Sequence, residues 1–539
     1  MRRRTRGCGA VSLDRSRRGA LRWNSGWDDS GCPGRRLAAG TTARWLVGLG
    51  SGYRPGHDRH PVVVDAGRGD VLVSEALTPA LILLPMGSAL LLACLCGRIA
   101  AARGVAALLV SAQVLLVTVI YLAFDGPRLV LQAAWLPALG SQLLLSIDGL
   151  SMQALLLLTA ILVVAVVAEI RLQEGGPSAA RLVLIFVAIT AMNLFVLSGD
   201  LLLSAAAYGT AGLALAALLG IGADMGGQTA ARSFASWTVV GALLLSAAAA
   251  ILAAGTGSTV IDDLTHITPD SARVAALLMV TALAMQVPLV PLHTWLAPIA
   301  TAGTLAGRTL IFGGWCMLGA FGLLRYGLGL FPDLLSYAAP LPLLWGTATV
   351  VYAAIVAIAQ QEQDLARRLS WATVGAGGLL LAGVAGLESL PVLGAWLHAT
   401  VQGVPRVGLL LLAHWMATSG ARRGSLAILW ALLALGLGAI PGAILFPGWL
   451  LVVAGTPDMI VAGLLLVASA MLVFALVAPA THIARGSVGP PLPAALSRVL
   501  AVATIVVLLA GFYPQPLVNG ARPVVERLLT RTAAADLAP

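Results

Sequence analysis

Lysine is absent from the 539-residue chain, and all 33 of its basic residues are arginine. Charged residues of any kind make up only 10% of the sequence, against roughly 25% in ordinary soluble domains. That scarcity excludes one large soluble core, which needs many more charges to cover its surface. Cysteine is scarce too: Cys8, Cys32, Cys94, Cys96 and Cys316 form no disulfide or metal framework. Cys94 and Cys96 read as small apolar residues of a helix. Carboxylates are missing from two long stretches, 201–223 and 425–457.

What is present is apolar sequence, 59% of the residues. Runs of about 20 apolar residues, the length that spans a bilayer as a helix, recur from Leu77 onward. The expected fold is all-α and polytopic. Fourteen spans are read, near 78–97, 103–124, 150–170, 181–199, 200–222, 233–254, 274–303 (broken), 304–326, 342–360, 369–387, 391–417, 425–453 (broken at Pro441 and Pro447), 459–479 and 495–513. The membrane domain is placed at 77–520, and 521–539 is read as a C-terminal tail.

Loop charges supply an orientation. Alternate loops carry Arg98 and Arg103, Arg171 and Arg181, Arg232, Arg367 and Arg368, Arg422 and Arg423, and Arg485. The opposite loops carry Asp262, Asp263, Asp270, Asp333, Glu388 and Asp458. The positive-inside rule puts the arginine set in the cytoplasm and both termini outside a cell membrane. Residues 1–76 conflict with that orientation, because the first 70 hold fourteen Arg against six Asp. No apolar core follows the basic start, so a signal peptide fits poorly. An arm for nucleic acid or anionic lipid is one reading; a disordered extension upstream of the native start is preferred.

The stretch from Ala284 to Arg325 is apolar, yet Pro288, Pro291 and Pro298 interrupt it. Proline removes a backbone hydrogen bond and clashes with the preceding turn. In hydrocarbon, broken backbone is tolerated only where protein buries it or a wet cavity meets it. Discontinuous helices recur in ion-translocating folds. His293 lies in the break, either as a proton relay, given its neutral-range pKa, or, the preferred reading, as a cap on the freed carbonyls.

Pro288-Leu-Val-Pro-Leu-His293-Thr-Trp-Leu296, with Leu323-Leu-Arg325-Tyr and Leu330-Phe-Pro332, resembles the signature of the antiporter-like membrane subunits of respiratory complex I, chain M (chain 4) type. Ile147-Asp-Gly-Leu-Ser151, the segment Asp364 to Thr373, and Gly511-Phe-Tyr-Pro-Gln-Pro516 agree with it in order and spacing. The resemblance covers about residues 78–520. It implies two inverted five-helix bundles, spans four to eight and nine to thirteen, with helices seven and twelve broken. It also implies a complex that couples quinone reduction by NADH to proton translocation.

The family carries a Glu on its fifth span, a Lys on the seventh, a Lys on the eighth and a Glu or Lys on the twelfth. Carried over without gaps, these positions hold Gly209, Gln286, Met317 and Trp449. With no lysine in the chain, no shifted alignment restores the two lysines. Two residues after Leu296 the family's Pro and acid are Ala297 and Pro298, its second histidine is Ala300, and its tenth-span histidine is Ala376. The eleventh-span Gln-then-His order is inverted as His398 and Gln402, which share a helix face.

The proton-path candidates are therefore His293, His398, Gln402, Gln286 and Arg406. Arg406 follows Pro405 and lies deeper; substitution for a lost cation is its less favoured reading, since arginine does not exchange protons readily. Arg308 and Arg325 either pair with an acid or, the preferred reading, snorkel near span ends. Asp148 and Asp200 are expected as helix N-caps, Glu169 as solvated, and His414 as interfacial. No glycine fingerprint for a dinucleotide follows a strand, and no cysteine set suits an iron–sulfur cluster. No cofactor is expected on this chain, and electron transfer is assigned to other subunits. The expected function is a membrane-arm subunit, nominally proton-translocating, with its buried Glu/Lys relay lost. The alternatives are a stand-alone cation/proton antiporter, or a membrane subunit of a related hydrogenase or inorganic-carbon uptake complex. The expected partners are other membrane subunits and the lipid bilayer, with no nucleic acid.

Overall fold

The computed structural model describes residues 77–535, apart from 174, 265–268, 332–339, 362, 439 and 487–488. The Arg-rich segment 1–76 lies outside the described residues. Everything below belongs to one unit, Asp65–Pro539.

Helices α1 (Ala80–Cys94) and α2 (Ile99–Leu122) lead into a β-hairpin. Then follow α3 (Gly149–Leu172), α4 (Ala179–Leu197), α5 (Leu201–Gly220), α6 (Met225–Thr256) and α7 (Pro269–Gln286). The short α8 (Leu296–Thr301) precedes α9 (Leu305–Leu328), α10 (Pro340–Ala359) and α11 (Leu365–Ala385). The remainder comprises α12 (Ser389–Val401), α13 (Gly403–Ser419), α14 (Gly424–Gly436), α15 (Phe446–Ala454), α16 (Met459–Arg485), α17 (Ala494–Phe512) and α18 (Gln515–Ala535). Among the described residues ten of these, α2 to α6, α9 to α11, α16 and α17, are long and apolar enough to cross a membrane. Helices α1 and α14 are shorter and apolar.

Side-chain caps set several of the starts. Asp148, Asp200, Asp224 and Asp458 each accept a backbone N–H from the first turn of α3, α5, α6 and α16. Gly257 and Gly420 end α6 and α13 in the left-handed conformation. The outer helices expose large apolar side chains: Leu108 is 70% exposed, Ile460 76% and Phe512 79%. Patches of that kind on a protein this poor in charge are stable against lipid, not water. Helix α9, by contrast, is wholly enclosed.

The two expected breaks are present in the chain trace. Helix α7 stops at Gln286 and helix resumes at Leu296; α14 stops at Gly436 and α15 begins at Phe446. The span read at 391–417 is two helices that meet at Gln402. The span read at 304–326 is a single rod with two π turns, Ile311–Trp315 and Leu323–Leu328.

Two elements depart from the expectation. Residues 128–147, expected as a loop in an all-α chain, form antiparallel strands β1 (Arg128–Leu136) and β2 (Ser141–Ile147). A three-residue turn, Pro137–Leu139, with Gly140 at φ 63°, joins them. The hairpin persists because β2 is edge-docked onto the helix ends, where the N–H of Gly199 donates to the carbonyl of Leu144 at 2.8 Å. The expected tail is helical through α18. Its apolar side, with Ala521, Val524 and Val525 buried, packs on α12 and α3. Gln153 on α3 donates to the Leu517 carbonyl at 2.6 Å and accepts from the Trp396 indole at 2.8 Å, which ties α18 to α3 and α12.

Candidate functional site

The four positions that the resemblance assigns to the family's charges, Gly209, Gln286, Met317 and Trp449, fall on packed helices. At the first break, Gln286 is 1% exposed, and neither its amide nitrogen nor its oxygen has a hydrogen-bond partner. It packs against α9 at Gly319, where a Cβ would stand 3.0 Å from the Gln286 Cβ and 2.8 Å from the Val287 nitrogen. Met317, two residues earlier on the same rod, is also buried. Gly209 leaves the α5 surface flat against Ala242 of α6. Its neighbour Tyr208 stacks on Trp315 at 5.0 Å, and Phe234 joins Trp315 to Trp295 at 5.6 and 5.2 Å. The ground between these positions is aromatic and apolar.

The carbonyls freed by the break are taken by indoles. Trp295 donates to Met285 O at 2.9 Å and Trp345 to Val290 O at 2.5 Å. His293 instead lies 5.0 Å from the Trp371 ring and 6.3 Å from that of Tyr352, with its Nδ1 unpartnered.

Glycines bring the second half together. Gly403 opposes the Gly313 carbonyl, so α13 crosses α9 closely, and one turn on Arg406 donates to Phe312 O in the first π turn at 3.1 Å. Its other terminal nitrogen donates to the Gln402 side chain. At the second break, Gly394 and Gly448 let α12 and α15 meet backbone to backbone. Trp449 and His398 are thereby placed on a common cavity with Arg406, Ala376 and Ser469. His398, Gln402 and Arg406 are 5%, 5% and 2% exposed. His398 Nδ1, Arg406 Nε and Trp449 Nε1 have no hydrogen-bond partner.

Three expectations are corrected by burial. Arg325 does not snorkel: it donates to Asp148 Oδ2 at 2.9 Å and lies over the Phe321 ring at 5.4 Å. Arg308 is 4% exposed inside α9, because that rod has neighbours on all sides. Glu169 is fully buried, not solvated, and pairs with Arg181 at 2.8 Å while accepting the N–H of Ser178. Asp148 and Asp200 are the N-caps expected, and each does more. Burial raises the Asp148 pKa, but the Arg325 charge and the bonds from Ser151 outweigh it and hold the carboxyl below its usual value. Asp200 accepts from Ser141, Gln142, Thr259 and Leu203, pinning the hairpin to α5. His414 is half-buried near the end of α13.

Both buried carboxylate–arginine pairs thus sit at span ends. Among the described residues no ion pair includes Arg308 or Arg406. Also among the described residues, no group of three His, Cys, Asp or Glu is placed to hold a metal.

The chain is 29% identical over 293 residues to NAD(P)H-quinone oxidoreductase chain 4 of Prochlorococcus marinus, covering 52% of this chain and 53% of that one. That match spans about half the relative's length. NADH-quinone oxidoreductase subunit M of Mycobacterium tuberculosis is 27% identical over 509 residues, 80% of this chain and 90% of that protein. A chain of respiratory complex I from Thermus thermophilus superposes with a TM-score of 0.75 at 22% identity, over 84% of this chain and 99% of that one. The family described as NADH:quinone oxidoreductase/Mrp antiporter, TM, matches residues 198–475, and the chain belongs to it.

Proposed function

We propose that this chain is a membrane-arm subunit of a complex I-type NADH:quinone oxidoreductase that keeps the antiporter-like scaffold but does not pump by the family's usual relay. The observation that carries this is the set Gly209, Gln286, Met317 and Trp449 at the four charge positions. Proton transfer through hydrocarbon needs ionisable groups in series, and each such group is retained at a cost of about 2.5–3.5 kcal/mol or more. Here the seventh-span position is an unpartnered neutral amide. Arg308 and Arg406, buried and without an ion pair among the described residues, hold their protons permanently. The role left is mechanical: a rigid scaffold built on the enclosed rod α9 and closed by the tied C-terminal helix α18.

On this reading there are fourteen spans in two inverted five-helix repeats, the breaks five spans apart. The chain lies in the cell membrane with both termini outside, bears no cofactor and carries out no redox chemistry itself. His293, His398, Gln402, Gln286 and Arg406 are the remaining polar positions along the former path. The alternatives are a stand-alone cation/proton antiporter and a membrane subunit of a related hydrogenase or carbon-uptake assembly. The lack of a carboxylate in 201–223 and 425–457 argues against the first, since a cation site normally needs one.

The test has two stages. Tagged protein is recovered from gently solubilised membranes and its companions are identified by mass. Quinone-reductase membrane subunits are expected; a chain recovered alone or as a homodimer overturns membership of the complex. Proton stoichiometry is then measured with this subunit deleted and assembly intact. No fall is expected, and a fall contradicts the non-pumping reading.

A further inference from the structure

Arg406 carries a permanent charge, is 2% exposed, and donates to two neutral oxygens, the Phe312 carbonyl and the Gln402 side chain. Neutral acceptors satisfy hydrogen-bond geometry but do not cancel a charge. An uncompensated ion in a low-dielectric interior is costly, and proteins resolve it with a counter-charge. Among the described residues no carboxylate lines the cavity of ≈ 40 Å³ that Arg406 shares with His398, Trp449 and Ser469. The Cys316 thiol lies close enough to Arg406 to feel its charge.

Two of the cavity's polar groups are fixed donors. Arg406 Nε and Trp449 Nε1 are N–H donors with no partner, and Ser469 carries a hydroxyl. The other ring nitrogen of His398 is bonded to the Leu445 backbone, which leaves the unpartnered Nδ1 as an acceptor in the neutral ring and not a donor to the cavity. The other walls are Val350, Leu379, Leu437, Leu445 and similar apolar side chains. Donors around a fixed positive charge in an apolar enclosure suit an anion, and exclude a cation.

We infer that the cavity between α11, α12, α13, α15 and α16 is a binding site for a small monovalent inorganic anion of the chloride class, with Arg406 as its counter-charge. Trp449, at the twelfth-span position where the family has a charged group, supplies a donor to it. The inference holds whichever complex the chain joins.

The full chain is purified in lipid nanodiscs, and its melting temperature is followed as chloride replaces gluconate at constant ionic strength. A saturable rise with chloride is expected from ligand linkage. Arg406→Gln is expected to abolish it. Ala376→Glu, which places a carboxylate on the same cavity wall, is expected to raise the melting temperature in gluconate and remove the chloride response. If Arg406→Gln does not fold, Trp449→Phe gives the reading: the chloride concentration at half-effect should rise about tenfold, the loss of one hydrogen bond to an ion. No chloride response in the wild-type chain overturns the inference and leaves Arg406 balanced from within. An undiminished response in Arg406→Gln overturns it as well, since it marks a nonspecific salt effect.

Discussion

The indole of Trp295 reaches back across the first helix break and donates to the carbonyl of Met285 at 2.9 Å. Ten residues separate the two, and the prolines between them remove the donors that would have closed a regular helix. The break is therefore a closed structure with its backbone satisfied by a side chain that is itself 1% exposed.

Trp295→Phe keeps the ring and deletes the donor. Stranding a buried carbonyl costs about 1–3 kcal/mol, so the purified protein should melt at lower temperature. Trp295→Ala should cost more, about 3–5 kcal/mol, because the ring also packs on Phe234. Equal stability of Trp295→Phe and wild type in a thermal melt would show that the bond contributes nothing.

Arg325 and Asp148 form a pair whose side chains are 15% and 13% exposed. Removing only the cation, as in Arg325→Met, leaves the carboxylate buried and should cost about 3–5 kcal/mol. The double change with Asp148→Asn should be milder than Arg325→Met alone. The coupling is measured by a double-mutant cycle in a urea or thermal titration.

The same carboxyl gives a pH dependence. Its folded pKa lies below the unfolded value of about 3.9, so the folded state favours the ionised form. The stabilisation is complete well above that value and is lost as pH falls through the lowered folded pKa. Asp148→Asn should flatten the acid limb of stability against pH. An unchanged limb would show that the pair does not govern it.

Gly448 tests the helix crossing at the second break. A Cβ there would lie 2.7 Å from the His398 nitrogen and 2.8 Å from the Gly394 carbonyl, both backbone atoms that cannot step aside. Gly448→Ala should cost about 1–3 kcal/mol as overpacking. Gly463→Ala on α16, where nothing lies within 4 Å, should be close to neutral in the same thermal assay.

A single restored charge should not restore a relay. Gln286→Lys would place an ammonium at a 1% exposed position against Gly319, with no carboxylate in 201–223. The expected result is a loss of about 2.5–3.5 kcal/mol and no gain in proton stoichiometry. A stoichiometry that rises in assembled vesicles would mean that the path had needed only this one group.

The membrane class, the run of apolar helices and the two breaks were legible in the chain itself, because each rests on local physics. Twenty apolar residues make a span, and closely set prolines interrupt one, whatever surrounds them. The N-caps Asp148 and Asp200 were legible for the same reason.

What sequence could not supply is the partner of each buried polar group. Arg325 and Arg308 look alike as arginines near the ends of one apolar run, yet one pairs with Asp148, 177 residues away, and the other has no ion pair among the described residues. Glu169 looks solvated at a span end until Arg181 folds over it. The hairpin at 128–147 is held by its contact with the α4–α5 junction, a contact between segments that the chain does not place side by side. Composition and local pattern determine that this chain enters a membrane as interrupted helices. Only the tertiary packing decides which charges are paired, because the energy of a buried charge depends on what lies within a few ångströms, and that neighbour is set by the crossing of glycine-lined helices far apart in the chain.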